Sequence, residues 1–179
     1  MTSALDAAES AQVPRLPALS ERRRLRFAFL FVLYVCQGLP LGFFAYAVPA
    51  WMTRNDAPAA AVGGFVAAAL LPWSFKFVHG VIMDRFTFLP MGRRRSWLLG
   101  AQASMVAGLL VLAVLDPAAT ATRQLLVLAL LVSAAASVQD VAIDGMAVDL
   151  VPDDERGRAN SLMFGGQALG LGGGAAVSG

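Results

Sequence analysis

Glu21-Arg22-Arg23-Arg24-Leu25-Arg26 runs directly into Phe27-Ala28-Phe29-Leu30-Phe31-Val32-Leu33-Tyr34-Val35-Cys36-Gln37-Gly38-Leu39-Pro40-Leu41-Gly42, and the apolar run continues to Trp51. Residues 27–51 contain no charged side chain. Ala45-Tyr46-Ala47 resembles the small-residue cleavage site of a secretory signal. A signal core is only about 7–15 residues long, however, so this longer run reads as a first membrane span that stays in the protein. The arginine cluster ahead of it is the kind of charge that remains in the cytoplasm.

Upstream lies an Ala-rich polar stretch, and residues 1–26 read as a disordered cytoplasmic tail. Downstream, apolar runs cover about residues 59–83, 97–115 and 125–148, and a fifth begins near Asn160 and reaches Gly179. Each of the first four is long enough to cross about 30 Å of hydrocarbon. The expected fold class is therefore all-α: a polytopic membrane helix bundle over residues 27–179, with four full helices and part of a fifth.

Composition agrees. Hydrophobic residues make up 58% of the chain and charged residues 15%, against about 45–50% and about 25% in soluble domains. One cysteine, Cys36, excludes an internal disulfide and reads as a small buried residue. No zinc spacing and no nucleophile motif surrounds the single histidine, His79, so the chain is not read as an enzyme and no cofactor is expected. Net charge is only +2, and no nucleic-acid partner is implied.

The placement of the arginines orients the bundle. Eleven lie in the tail, the second-to-third connection and the fourth-to-fifth connection, and two, Arg54 and Arg123, lie in the alternate connections. The positive-inside rule puts the N-terminus in the cytoplasm of a multi-pass inner (plasma) membrane protein.

Ionised side chains inside a span cost about 2.5–3.5 kcal/mol each on insertion scales, so those present are paired or used. Lys76 is the only lysine, in a chain with thirteen arginines. It sits about 12 Å inside the arginine-rich end of the second span, and Asp140 sits about 15 Å inside the fourth. Depths that match make them a candidate pair, either a register-setting ion pair or a site for an anionic solute or a proton. Asp144 lies one turn beyond Asp140 and continues a polar stripe with Ser133 and Ser137. His79, one turn from Lys76, is expected to be packed and neutral, with a proton relay as the sharper reading. In the first span, Tyr34 and Gln37 share a face beside Gly38, Pro40 and Gly42. There the sequence predicts a broken helix lining a cavity, or a simple packing kink.

Gly166, Gly170 and Gly174 line one face of the fifth run and allow close helix approach. Gly170-Leu171-Gly172-Gly173-Gly174 lacks the preceding strand that a nucleotide loop needs. At the arginine-rich end, Arg93, Arg94 and Arg95 oppose Asp149, Asp153, Asp154 and Glu155, either as a gating clasp or as topology charge and helix capping.

The segments Gly80-x-x-x-Asp84-Arg85 and Gly92-Arg93-Arg94-Arg95 resemble the signature between the second and third helices of the major facilitator superfamily. An insert from Phe86 to Met91 departs from the commonest form. Together with Gly38-Leu39-Pro40, Phe75-Lys76-Phe77, Gln139-Asp140 and Pro152-Asp153-Asp154-Glu155-Arg156-Gly157, the pattern resembles the branch of AmpG-type muropeptide permeases and acetyl-CoA transporters. That resemblance implies a proton-coupled secondary permease of twelve or more helices in two halves, with a small-molecule substrate, a muropeptide or an acyl-CoA-like molecule, at the midplane. It implies a cytoplasmic gating motif of Gly80, Asp84, Arg85, Gly92, Arg93, Arg94, Arg95 and Asp149, with Glu155 and Arg156 beside it. It leaves Lys76, Asp140, Asp144, Gln37 and Tyr34 as substrate or coupling candidates. A chain ending inside a fifth helix is expected to be an N-terminal fragment, inactive without the missing C-terminal helices.

Two other readings remain. Asp140 and Asp144 have near-motif spacing for an intramembrane Mg²⁺-dependent transferase. A small membrane scaffold that assembles through the glycine face is the other.

Overall fold

The computed structural model describes residues 19–86 and 92–178, apart from the side chains of Arg93 and Ser178. Among these residues five helices form one bundle: α1 Arg23–Arg54, α2 Ala59–Arg85, α3 Arg93–Leu115, α4 Thr122–Leu150 and α5 Arg156–Ala175. The first four are long and apolar enough to cross a membrane. Residues 1–18 of the expected tail, and Thr87–Met91 of the insert, lie outside the described residues.

Interior side chains follow the helical period. On α4 they include Leu125, Leu128, Ala129, Val132, Ala136, Ile143 and Met146, interleaved with Ser133, Ser137, Gln139 and Asp140. This helix is the hub: α1, α2 and α3 all pack on it. One apolar cluster around Leu30, Met83, Ile143 and Met163 fills the arginine-rich half of the bundle. A second around Phe44, Met52, Phe65 and Val132 fills the opposite half. The polar stripe of α4 lies between them.

The α1–α5 contact is backbone against backbone. A β-carbon at Gly166 would lie 2.6 Å from the Phe31 carbonyl oxygen, and one at Gly170 would lie 2.9 Å from the Gly38 Cα. A β-carbon at Gly38 would in turn lie 2.5 Å from the Gln167 carbonyl oxygen. Small residues permit this approach, and dispersion between the two backbones stabilises it.

The expected break at Gln37–Gly42 does not occur. The α-helix runs through Pro40 to Gly42, and the irregularity is a π-helical turn one step later, at Phe43–Ala47. Gly38 and Gly42 serve the approach of α5 instead. The helix that breaks is α2, where Leu71–Phe75 is a 3-10 turn starting at the Leu71-Pro72 pair. Proline lacks the N–H that would continue the α-helical ladder, which permits the local tightening to a 3-10 turn.

Candidate functional site

The polar stripe of α4 meets one partner after another. Asp140 is 2% exposed. Its Oδ1 accepts a hydrogen bond from Gln37 Nε2, and its Oδ2 pairs with the Lys76 ammonium. Gln37 is fully buried, between α1 and α4. The ammonium also stands 4.9 Å from the centre of the Trp73 ring, within range of a cation–π attraction. The ion pair therefore has a hydrogen bond on one side and an aromatic face on the other, which lowers the cost of placing charge at this depth.

One turn along α4, Asp144 Oδ1 accepts the Tyr34 hydroxyl. Tyr34 is buried, whereas Asp144 is exposed and lines a cavity of about 210 Å³ with Val148, Arg156, Asn160 and Met163. The two carboxylates thus differ. Asp140 is sealed in with a cation, and Asp144 is held by a neutral hydroxyl at an opening. One turn the other way, Ser137 Oγ donates to the Pro72 carbonyl at 3.2 Å and lies 3.1 Å from His79 Nδ1. Gln139 adds a further α1–α4 link through Nε2 to the Leu33 carbonyl at 3.4 Å. Among the described residues no group of three or more His, Cys, Asp or Glu side chains comes together to hold a metal.

At the arginine-rich end, Arg94 Nε donates to Asp149 Oδ2 at 3.1 Å, and its Nη2 lies 3.7 Å from Asp84 Oδ1. This joins α3 to α4 and α2. Gly92 precedes α3 with φ of 92°, a conformation that side chains with a β-carbon rarely adopt, so glycine is required there. Gly80 has no such constraint; a β-carbon there would make ordinary contact with Val141 at 3.8 Å. Arg85 and Arg95 are exposed.

Glu155 and Arg156 are not part of that cluster. Glu155 pairs with Arg23 at 3.3 Å and with Arg26, tying the start of α5 to the start of α1. Arg26 is 3% exposed and also donates to the carbonyls of Leu19 and Ser20. Arg156 pairs at 2.8 Å with its near neighbour Asp153. The acidic run after α4 is therefore divided among separate partners because α5 packs on α1 rather than on α3. The sequence pattern gave Arg26 no role beyond topology, because a charge next to an apolar run reads that way, and it placed Gln139 only within the Gln139-Asp140 resemblance, not as a link to α1.

The family model described as Major Facilitator Superfamily matches residues 30–179. The chain belongs to the Major Facilitator Superfamily. Four apolar helices in a chain of this superfamily make it a multi-pass membrane protein. It is 32% identical over 146 residues to the anhydromuropeptide permease of Escherichia coli K12, covering 82% of this chain and 29% of that protein. It is 30% identical over 125 residues to an uncharacterized protein of Haemophilus influenzae, covering 70% of this chain and 29% of that protein. An uncharacterized protein of Schizosaccharomyces pombe is 22% identical over 166 residues, covering 90% of this chain and 31% of that protein. The chain thus spans about a third or less of the length of these curated relatives. No solved structure matches it.

Proposed function

We propose that this chain forms the first part of a proton-coupled secondary permease for an anhydromuropeptide or a similar anionic small solute, an acyl-CoA-like molecule being the alternative cargo. The observation that carries the reading is the pair of unlike carboxylates on α4, Asp140 held by Lys76 and Gln37, and Asp144 held by Tyr34 at an open cavity. Membrane-embedded ionised groups are costly and occur where solutes or protons are handled. Lys76 supplies the one cation at this depth for an anionic group of the solute, and Asp140 and Asp144 supply the carboxylates that exchange protons. The resemblance to a permease named for anhydromuropeptides supports the solute class.

In this reading the arginine-rich end faces the inner-membrane cytoplasm. The motif Gly80, Asp84, Arg85, Gly92, Arg93, Arg94, Arg95 with Asp149 is the gate, formed when Arg94 bridges Asp84 and Asp149. The remaining helices of the permease complete the pathway, and the segment by itself is inactive. The complete permease is a transporter and not an Mg²⁺-dependent transferase in this reading, which the engagement of both Asp140 oxygens by Lys76 and Gln37 supports.

The test is uptake of labelled anhydromuropeptide by membrane vesicles carrying the full-length permease. Lys76→Ala is expected to abolish uptake while leaving membrane insertion intact; normal uptake by the variant would remove Lys76 from the mechanism. Reporter fusions after Arg54 and after Arg94 should fall on opposite sides of the membrane, and finding both on one side would overturn the orientation.

A further inference from the structure

The contact between Ser137 and the broken part of α2 is not used by the mechanism above. A 3-10 turn replaces the α-helix at Leu71–Phe75, and Lys76 is the first residue after it. The direction in which the lysine leaves α2 therefore depends on how firmly that turn is held. A short 3-10 segment has poorer hydrogen-bond geometry than an α-helix. Its Pro72 carbonyl also accepts the Ser137 hydroxyl from outside the helix, in a buried setting.

A hydroxyl has one hydrogen to give. The Pro72 carbonyl can only accept, so the Ser137 hydrogen is committed to it. With the Ser137 hydrogen on Pro72, the 3.1 Å contact between Ser137 Oγ and His79 Nδ1 is completed by the tautomer of His79 that carries its hydrogen on Nδ1. In that tautomer the chain of donors runs from His79 to Ser137 to Pro72. It begins and ends on α2 and passes through α4. It brackets Lys76, which lies between Pro72 and His79 in sequence and meets Asp140 one turn along α4 from Ser137.

We infer that Ser137, oriented by His79, is a positioning residue. It latches the 3-10 turn of α2 to α4 and so sets the Lys76 ammonium on Asp140. Its importance for transport rests on the reading of Lys76 and Asp140 given above; its effect on the lysine does not. Loss of the hydroxyl removes the tie from α4 to the Pro72 carbonyl, loosens the turn and frees the lysine. Loss of the His79 donor lets the Ser137 hydroxyl rotate away from Pro72 and has the same effect in weaker form.

Lys76 is the only lysine in these 179 residues, so amine labelling of this segment reports a single site. The full-length permease in membranes is treated with acetic anhydride, and acetylation of the peptide containing Lys76 is quantified by mass spectrometry. Ser137→Ala is expected to raise acetylation of Lys76 about fivefold, the change in population that loss of one hydrogen bond produces. His79→Leu is expected to raise it, and His79→Asn, whose amide N–H takes the place of Nδ1–H, to restore the wild-type level. These two decide the matter if Ser137→Ala fails to insert. Unchanged acetylation in Ser137→Ala or in His79→Leu would overturn the inference. Raised acetylation together with unchanged uptake of labelled anhydromuropeptide would uphold the latch and overturn the role given to the Lys76–Asp140 pair in transport.

Discussion

The guanidinium of Arg94 rests on Gly145, filling the space where another residue would carry its β-carbon, which would lie 2.6 Å from Arg94 Nε. This is how α3 reaches past α4 to join Asp149 and Asp84. Gly145→Ala is expected to push the arginine off both carboxylates. The side chain is flexible and the pairs are partly exposed, worth about 0.2–1 kcal/mol, so stability should change little. The expected result is a purified full-length permease with an unchanged melting temperature and reduced uptake in vesicles. Unimpaired uptake would show that Arg94 need not bridge α2 and α4.

Asp140 has lost nearly all contact with solvent, whereas the Lys76 side chain is 40% exposed. The two residues should therefore respond unequally. Lys76→Met leaves a buried carboxylate with Gln37 alone. Removing one partner of a buried pair costs about 3–5 kcal/mol in the strongest cases, and exposure of the lysine reduces that here. Asp140→Asn leaves an ammonium that is already partly exposed and keeps the Trp73 ring beside it. The double variant Lys76→Met with Asp140→Asn is expected to regain most of the stability lost in Lys76→Met, read from thermal melts in detergent. Strictly additive losses would mean that the two side chains do not interact.

The four membrane spans were legible because apolar length is a long-range average that single residues do not disturb. The Lys76–Asp140 pairing was legible for a related reason: depth is readable from sequence position once the ends of a span are known. Details of individual helices were not. Leu39-Pro40 and Leu71-Pro72 look alike in sequence, yet α1 continues through its proline while α2 tightens to a 3-10 turn at its own. The difference comes from neighbours. Gly38 and Gly42 press α1 against the backbone of α5, and Ser137 offers α2 a donor for the Pro72 carbonyl. The division of acidic residues also depended on packing. Asp149 and Glu155 are six positions apart, and only the seating of α5 on α1 sends Glu155 to Arg26 instead of Arg94.

The glycines of α5 fall into two sets. Gly166, Gly170 and Gly174 meet the backbone of α1, whereas Gly165 and Gly172 face open space. Gly170→Ala forces one backbone away from another and is expected to lower stability by about 1–3 kcal/mol or more. Gly165→Ala and Gly172→Ala add no clash and remove the conformational freedom of glycine, so each should be neutral or stabilising by up to about 1 kcal/mol. Thermal melts of the three variants give the comparison, and a neutral Gly170→Ala would contradict the close α1–α5 approach.

Glu155 and Arg156 are adjacent in sequence and should differ sharply on substitution. Arg26 is buried at the start of α1 with Glu155 as its carboxylate partner, so Glu155→Gln leaves a buried guanidinium with only carbonyl acceptors. The expected loss approaches the 3–5 kcal/mol typical of such a change. Arg156 pairs with the exposed Asp153, three residues away, and Arg156→Gln should cost well under about 1 kcal/mol. Replacing both members of the buried pair, as in Arg26→Met with Glu155→Met, removes the stranded charge and should recover much of the loss. The measurement is the melting temperature of the three variants in one detergent. Equal effects of Glu155→Gln and Arg156→Gln would mean that the bond from α5 to α1 carries no more weight than a surface pair, and that the glycine contact alone seats the helix.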